Sequence, residues 1–210
     1  MPSILLRMHR VLPRVQVRLT EQTNEVLIKK LLKGELDLMI GDVPDHPDIQ
    51  KEMMYRESMV LTISEKLIPE KQLAELTRSK DLRILAGVPF VMNTQNDIAG
   101  RYGASIMESF SMVPRIAAVS DSAETCLQMC LEGLGAYICP DLYVRFYQDR
   151  FAALHVIPLD YSYGIHLASR KGLYEKRSIR EFRKYCLETM QNNILEFEKI
   201  SGKTIDDFES

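Results

Sequence analysis

The 210-residue sequence holds no GxGxxG, no Walker loop, no GxSxG and no HExxH. It therefore lacks the glycine cradle of nucleotide sites, the nucleophile elbow of serine hydrolases and the helical histidine pair of zinc proteases. It also lacks an excess of charge of one sign. The formal net charge is −2, and the basic residues fall in short pairs such as Lys29–Lys30. That gives no electrostatic footprint for a nucleic-acid backbone, so the chain is not expected to bind DNA by itself. Four cysteines without a framework spacing fit a reducing compartment. The opening PSILLRMHRVLPRV is interrupted by Arg7, His9 and Arg10, which makes it neither a secretory h-region nor a membrane span. A cytoplasmic location follows as the expectation.

What is present is the composition of an ordinary globular protein, 46% hydrophobic and 27% charged, long enough for one large domain or two lobes with separate cores. Ile4, Leu5, Met8, Val11 and Leu12 share a helical face closed by Pro13. RVQVRLT then alternates, predicting a strand with Val15, Val17 and Leu19 inward and Arg14, Gln16, Arg18 and Thr20 outward. A helix follows with Leu27, Ile28, Leu31 and Leu32 on its stripe, Thr23 or Asn24 at its cap and Gly34 at its left-handed stop. GELDLMIGD, residues 34–42, alternates Leu36, Leu38 and Ile40 with Glu35, Asp37 and Met39 and reads as a second strand. Strand, helix, strand predicts a right-handed parallel βαβ unit.

The theme repeats. LRILAGVPFVMN is an apolar run leading to the polar loop NTQND; Ile98, Tyr102, Ile106 and Phe110 space a helix, and PRIAAVS is extended. Asp121 and Glu124 have capping-box spacing before a helix bearing Ala123, Cys126, Leu127, Cys130 and Leu131, which Gly133 ends. GAYICP reads as a short buried strand, DLYVRFYQD as a helical segment, and ALHVIPL and YGIHLASR as two further strands. A last helix runs from Ser178, again with box spacing to Glu181, through Phe182, Cys186, Met190, Ile194 and Phe197. The fold class is α/β: two Rossmann-like lobes joined by two crossovers, expected near Leu85–Val88 and Val156–Leu159.

The chemistry-bearing residues are few. Cys126 and Cys130 are four apart but lie on an apolar stripe, which favours core packing over metal binding. Cys139 before Pro140 has no neighbouring histidine to activate it. DVPDHPD, with His46 among its acids, has the composition of a surface turn. No cofactor and no metal is expected. Polar residues gather instead where strands give way to helices: Gln22 and Thr23; Asn93, Thr94 and Gln95; Ser120 and Ser122. Each suits plain capping. Together, backed by helix N-termini, they suit a small polar or anionic ligand held without chemistry.

LPRVQVRLTEQTNEVLIKKLLKGELDLMIGD resembles the opening of the effector-binding domain of LysR-type transcriptional regulators, a P-x-V-x-V-x-L strand, a helix and a GELD strand. PFVMNTQNDIAGR is similar to the start of that family's second lobe. DSAETCLQMCLEGLGAYICP resembles its G-x-G-I-x-x-x-P element, with Ala136 and Tyr137 where Gly-Ile is commoner, and IHLASRKGLYEKRSIREF its returning strand and last helix. The resemblance implies a two-lobed, periplasmic-binding-protein-like fold with lobes 1–87 plus 158–210 and 88–157. It further implies an effector cleft at Gln22, Thr23, Asn93–Gln95 and around Ser120, and a homodimer or tetramer. DNA would be bound only through a helix-turn-helix domain, which is not among these residues; nor is the family's first strand. A transporter's solute-binding protein and a small-acid enzyme share the architecture and stand as the alternatives.

Overall fold

The structure, a computed structural model, describes residues 1–146 and 149–201, with side chains for 1–145 and 149–190. Its contacts divide the chain into unit 1, Met1–Arg56 with Gly164–Ser210, and unit 2, Glu57–Tyr163.

Unit 1 opens with α1 (Pro2–Val11), whose first turn tolerates Pro2 because a helix has no partner for its leading N–H groups. Ile4 and Met8 are its buried positions, packed with Leu167, Tyr185 and Cys186. Helix α2 (Asn24–Lys33) ends as expected on Gly34, at φ 76°, with the Gly34 N–H donating to Leu31 O at 3.0 Å. Strand β1 is short, Met39–Gly41, and pairs antiparallel with the returning strand β6 (His155–Arg170), Met39 opposite Ala168. Both of its faces are covered. Met39 packs with Leu31, Val43, Ile49 and Ala168, while Leu38 and Ile40 lie against the cluster of α1 and the last helix, α7 (Arg177–Ser201).

The expected strand over residues 14–20 does not form. The segment has no strand pairing, and Val15, Val17 and Leu19 are 37, 42 and 51% exposed rather than inward. Alternation sets only which side chains share a face; a strand also needs a neighbour for its backbone, and none stands beside this one among the described residues. The parallel βαβ unit expected around α2 is lost with it.

Two long strands, β2 (Ile49–Ile63) and β6, carry the chain between the units, in a sheet of order β1-β6-β2-β5. ALHVIPL and YGIHLASR are thus one strand rather than two. In unit 2, α3 (Glu70–Ser79) leads through the turn Leu82–Leu85 to β3 (Pro89–Asn93), α4 (Ile98–Ser109) and β4 (Arg115–Ser120). Strands β3 and β4 are parallel, with Asn93 opposite Ser120, so the repeat of the βαβ theme forms here. Helix α5 (Ala123–Leu131) packs on both strands, and β5 (Tyr137–Pro140) pairs antiparallel with β2 before the short helix α6 (Asp141–Phe146).

The core of unit 2 gathers Val60, Val91, Leu127, Tyr137, Phe151 and Leu154 with Cys126, Cys130 and Cys139. The three cysteines are 0% exposed, as the stripe of α5 predicted for two of them. Both expected capping boxes give way to other solutions. Ser122, not Asp121, caps α5, accepting from Thr125 N at 3.2 Å, and α7 begins at Arg177, which puts Ser178 inside the helix. A hydroxyl one residue closer to the helix reaches the free N–H groups better than a carboxylate outside the turn. Ile194 and Phe197 of the expected α7 stripe, and Tyr147 and Gln148 of the segment after α6, lie outside the residues whose side chains are described.

Candidate functional site

In a parallel βαβ unit every strand hands the chain to a helix at the same edge, so helix N-termini and loop side chains meet there. In unit 2 that edge is the carboxyl end of β3 and β4. It brings together four of the expected residues: Asn93, Thr94, Ser120 and Ser122.

Asn93 is 3% exposed. Its Nδ2 donates to Ser120 O at 3.0 Å, across the β3–β4 register, and its Oδ1 accepts from the Tyr137 hydroxyl. The amide thus ties β4 and the start of β5 to β3, and its orientation is fixed by the Ser120 carbonyl, which can only accept. Burial pushes the Tyr137 phenol well above its ordinary range, with the nearby Cys139 and Cys126 acting in the same direction, so it remains a neutral donor. Thr94 Oγ1 donates to Asp121 Oδ1 at 2.7 Å. Ser120 Oγ accepts from Ser122 N at 3.1 Å. Gln95 projects from the exposed Thr94–Asp97 turn, which the Asp97 N–H closes on Thr94 O at 3.0 Å. Asp97 then caps α4, accepting from Ala99 N at 3.1 Å.

The backbone of this edge is packed close. A Cβ at Gly100 would stand 2.1 Å from Thr94 O, and one at Gly135 would stand 2.8 Å from Phe90 C and Val91 N. Glycine here lets α4 fold back onto its own turn and lets the chain before β5 run beside β3, where Val91 N donates to Ala136 O at 2.9 Å.

Gln22 and Thr23 belong to unit 1 and stand exposed ahead of α2. Thr23 occupies the N-cap with extended backbone, yet its side chain makes no cap hydrogen bond. The next residue, Asn24, donates from Nδ2 to Asp42 O at 2.8 Å and so pins the α2 N-terminus to the exit of β1. Gly41 leaves room for that contact, since a Cβ there would be 2.8 Å from Asn24 Oδ1.

Sequence reasoning missed Tyr137 as a partner of Asn93; its only signal was the departure from Gly-Ile. It took Asp121 as a cap where the structure uses it as the acceptor for Thr94. In the DVPDHPD loop, Asp48 N donates to His46 Nδ1 at 3.1 Å, a turn contact of the kind its composition suggested. No group of three or more potential metal ligands stands together among the described residues. A cavity of about 570 Å³ in unit 2 lies elsewhere, at the amino ends of β3 and β4 between Arg83, Phe90 and Arg115. It is nowhere near the polar edge, and the convergence of hydroxyls and helix N-termini is the better guide to a ligand.

The LysR substrate binding domain family matches residues 1–191. No curated protein matches the chain in sequence. Among solved structures, the Synechocystis PCC6803 CcmR regulatory domain in complex with 2-PG is similar at a TM-score of 0.75 and 16% identity, over 91% of each chain. The BenM effector binding domain with benzoate gives 0.72 and 16%, over 92% of this chain and 86% of that one. The effector binding domain of QuiR with shikimate gives 0.68 and 17%, over 91% and 90%. Against full-length CbnR the chain spans 64% of the other's length. These likenesses carry the fold, α/β and periplasmic-binding-protein-like; the match over residues 1–191 carries the family. This chain belongs to the LysR substrate binding domain family.

Proposed function

We propose that this chain is the ligand-sensing part of a cytoplasmic transcription regulator, in which its two units close on a small polar or anionic metabolite. The single observation that carries the reading is the polar edge of unit 2, set in a chain matched to a substrate-binding family. Gln22 and Thr23 hold the ligand from unit 1; Thr94, Gln95, Ser120 and Ser122 hold it from unit 2, on the frame that Asn93 fixes. Benzoate and shikimate, the ligands named with two similar structures, are carboxylates, and helix N-termini such as those of α2 and α5 favour that group. Binding shifts the balance between two arrangements of the units in proportion to the ligand's differential affinity, and a DNA-binding domain elsewhere in the regulator reads the shift.

The reading assigns no turnover. The buried cysteines support that: Cys126 and Cys130 thiols are pushed up to about 11 by burial, far from the thiolate a nucleophile needs. Self-association as a homodimer or tetramer is supported by the open edge of β4, where Ile116 and Val119 are 52 and 55% exposed. No helix among the described residues is long and apolar enough to cross a membrane.

A thermal-shift screen of small organic acids, sugars and amino acids tests the reading. A ligand that binds the folded chain alone raises its midpoint in proportion to the logarithm of concentration. A screen in which no compound does so counts against it.

A further inference from the structure

The parallel pair β3 and β4 has two ends, and the polar residues of unit 2 occupy only the carboxyl one. At the amino ends lies the cavity of about 570 Å³, a size within the range of small-molecule sites. Two connections frame it, residues 86–88 ahead of β3 and 110–114 ahead of β4. Their own backbone holds both in place. Val88 N donates to Leu85 O at 2.9 Å in the first; in the second, Ser111 N donates to Glu108 O at 2.8 Å and Met112 N to Met107 O at 2.9 Å. Each bends through a left-handed residue, Gly87 at φ 85° and Ser111 at φ 54°. A serine adopts that conformation at a cost, which persists only where its surroundings impose it. A Cβ built on Gly87 would meet no atom within 4 Å, so the space beside it is open.

The lining is apolar and carries an unmatched cation. Phe110, Met112 and Pro114 are half-buried, and Val113 is 97% exposed. Apolar groups left in water around a preformed hollow favour an apolar occupant. Two arginines line the same hollow, and no acidic residue does. Arg83 is neutralised, its Nε and Nη2 donating to the two Asp81 carboxylate oxygens at 2.9 and 2.8 Å. Arg115, the first residue of β4, is exposed and has no ion pair or hydrogen-bonded side-chain partner among the described residues. Helix α4 ends at the same place, and open carbonyls there would repel an anion. They are occupied, since Ile106 O, Met107 O and Glu108 O accept from the N–H groups of Phe110, Met112 and Ser111.

We propose that this cavity is a ligand site of its own, for a small organic acid with an apolar body. The carboxylate pairs with the Arg115 guanidinium, whose parallel N–H groups match its two oxygens. The body covers Phe110, Met112 and Val113. A small molecule is the occupant because the hollow has the volume of one and offers a single unmatched charge. The site lies at the opposite end of β3 and β4 from Asn93 and Ser120, and it stands or falls independently of the ligand reading of that edge.

Titration of the 210-residue chain with cinnamate, followed by nitrogen–proton correlation spectra, tests it. Saturable shifts are expected at the amides of Gly87, Ser111, Val113 and Arg115. Cinnamyl alcohol, with the same body and no charge, should bind about tenfold more weakly. Arg115→Gln should weaken cinnamate by about the same factor and leave the alcohol nearly unaffected, a split that a disturbed fold would not produce. Ala86→Trp, at an exposed lining position with φ −55° and ψ 121° that any residue adopts, should fill the hollow and abolish binding of both. Shifts confined to residues 93–95 and 120–122 overturn the proposal, as do equal affinities for acid and alcohol or indifference to Arg115→Gln. A Val113→Asp variant that sediments as a monomer where the parent is a dimer overturns it too, since a second copy then covers the hollow.

Discussion

The Tyr137 hydroxyl donates to Asn93 Oδ1 inside the core of unit 2, and the same amide donates from Nδ2 to Ser120 O at 3.0 Å. Three extended segments are joined by one buried carboxamide. Tyr137→Phe removes the donor and leaves Asn93 Oδ1 buried without that partner, which costs about 1–3 kcal/mol. Urea unfolding should show that loss with an unchanged slope. A change below about 0.5 kcal/mol would mean that the contact does not hold the edge together.

Gly100→Ala and Gly135→Ala place a methyl group against backbone, 2.1 Å from Thr94 O and 2.8 Å from Phe90 C respectively. Backbone cannot swing aside as a long side chain can. Each variant should lose about 1–3 kcal/mol, the usual cost of overpacking. Gly100→Ala should also displace the Thr94–Asp97 turn and blunt the response to any ligand found by thermal shift. Equal ligand responses in both variants would separate that turn from the site.

Thiol chemistry should report the core directly. Cys126, Cys130 and Cys186 are pushed from 9.0 to about 11 by burial, and burial raises the Cys139 thiol well above its ordinary range too. At pH 8 a disulfide reagent should label the native chain slowly and the urea-unfolded chain at once. Because the folded state holds these protons more tightly, their contribution to stability is complete below pH 9 and is lost as the pH rises through about 11. Rapid native labelling would contradict the packing of α5.

His166 titrates in the opposite sense. Burial and the nearby Lys51 ammonium lower its pKa from 6.5, against smaller opposing effects that include the Asp42 and Asp45 carboxylates. Its Nδ1 is buried without a hydrogen-bond partner among the described residues. The unfolded chain therefore binds the proton first, and stability falls as the pH drops through and below 6.5. Unfolding midpoints between pH 7.5 and 5 should show a decline that His166→Gln reduces. An identical decline in the variant would assign it to other groups.

Much of the fold was legible because local pattern and tertiary context agree. The α5 stripe, the Gly34 stop and the parallel pair flanking α4 each follow from residues close in sequence. What was not legible depends on neighbours. Residues 14–20 alternate well and remain unpaired, since a strand is defined by a partner that its own residues do not encode. GELDLMIGD reads as a strand that alternates Leu36, Leu38 and Ile40 with Glu35, Asp37 and Met39. Its Met39 is instead 3% exposed, because helices cover both faces, and the ordered strand is Met39–Gly41. Strand β2 is hard to see in the sequence because most of its first half is charged or exposed, and its continuous buried run is confined to Met59–Ile63. Pro158 and Gly164 made β6 look like two strands. A proline is tolerated here because β1 flanks β6 only at residues 166–168. At the site, the polar clusters were visible in sequence, but their internal hydrogen bonds, Tyr137 to Asn93 above all, join positions 44 residues apart.

The central claim, that a ligand is gripped from both units, is tested most directly by calorimetric titration of the best ligand from the screen into the parent chain, Thr23→Ala and Thr94→Ala. Each variant deletes one exposed or half-exposed hydroxyl, one per unit, and should leave the apo melting temperature nearly unchanged. The account predicts that both weaken binding by about tenfold, a hydrogen bond's worth on either side. Parent-like affinity in both variants, or a loss confined to one unit, would contradict it.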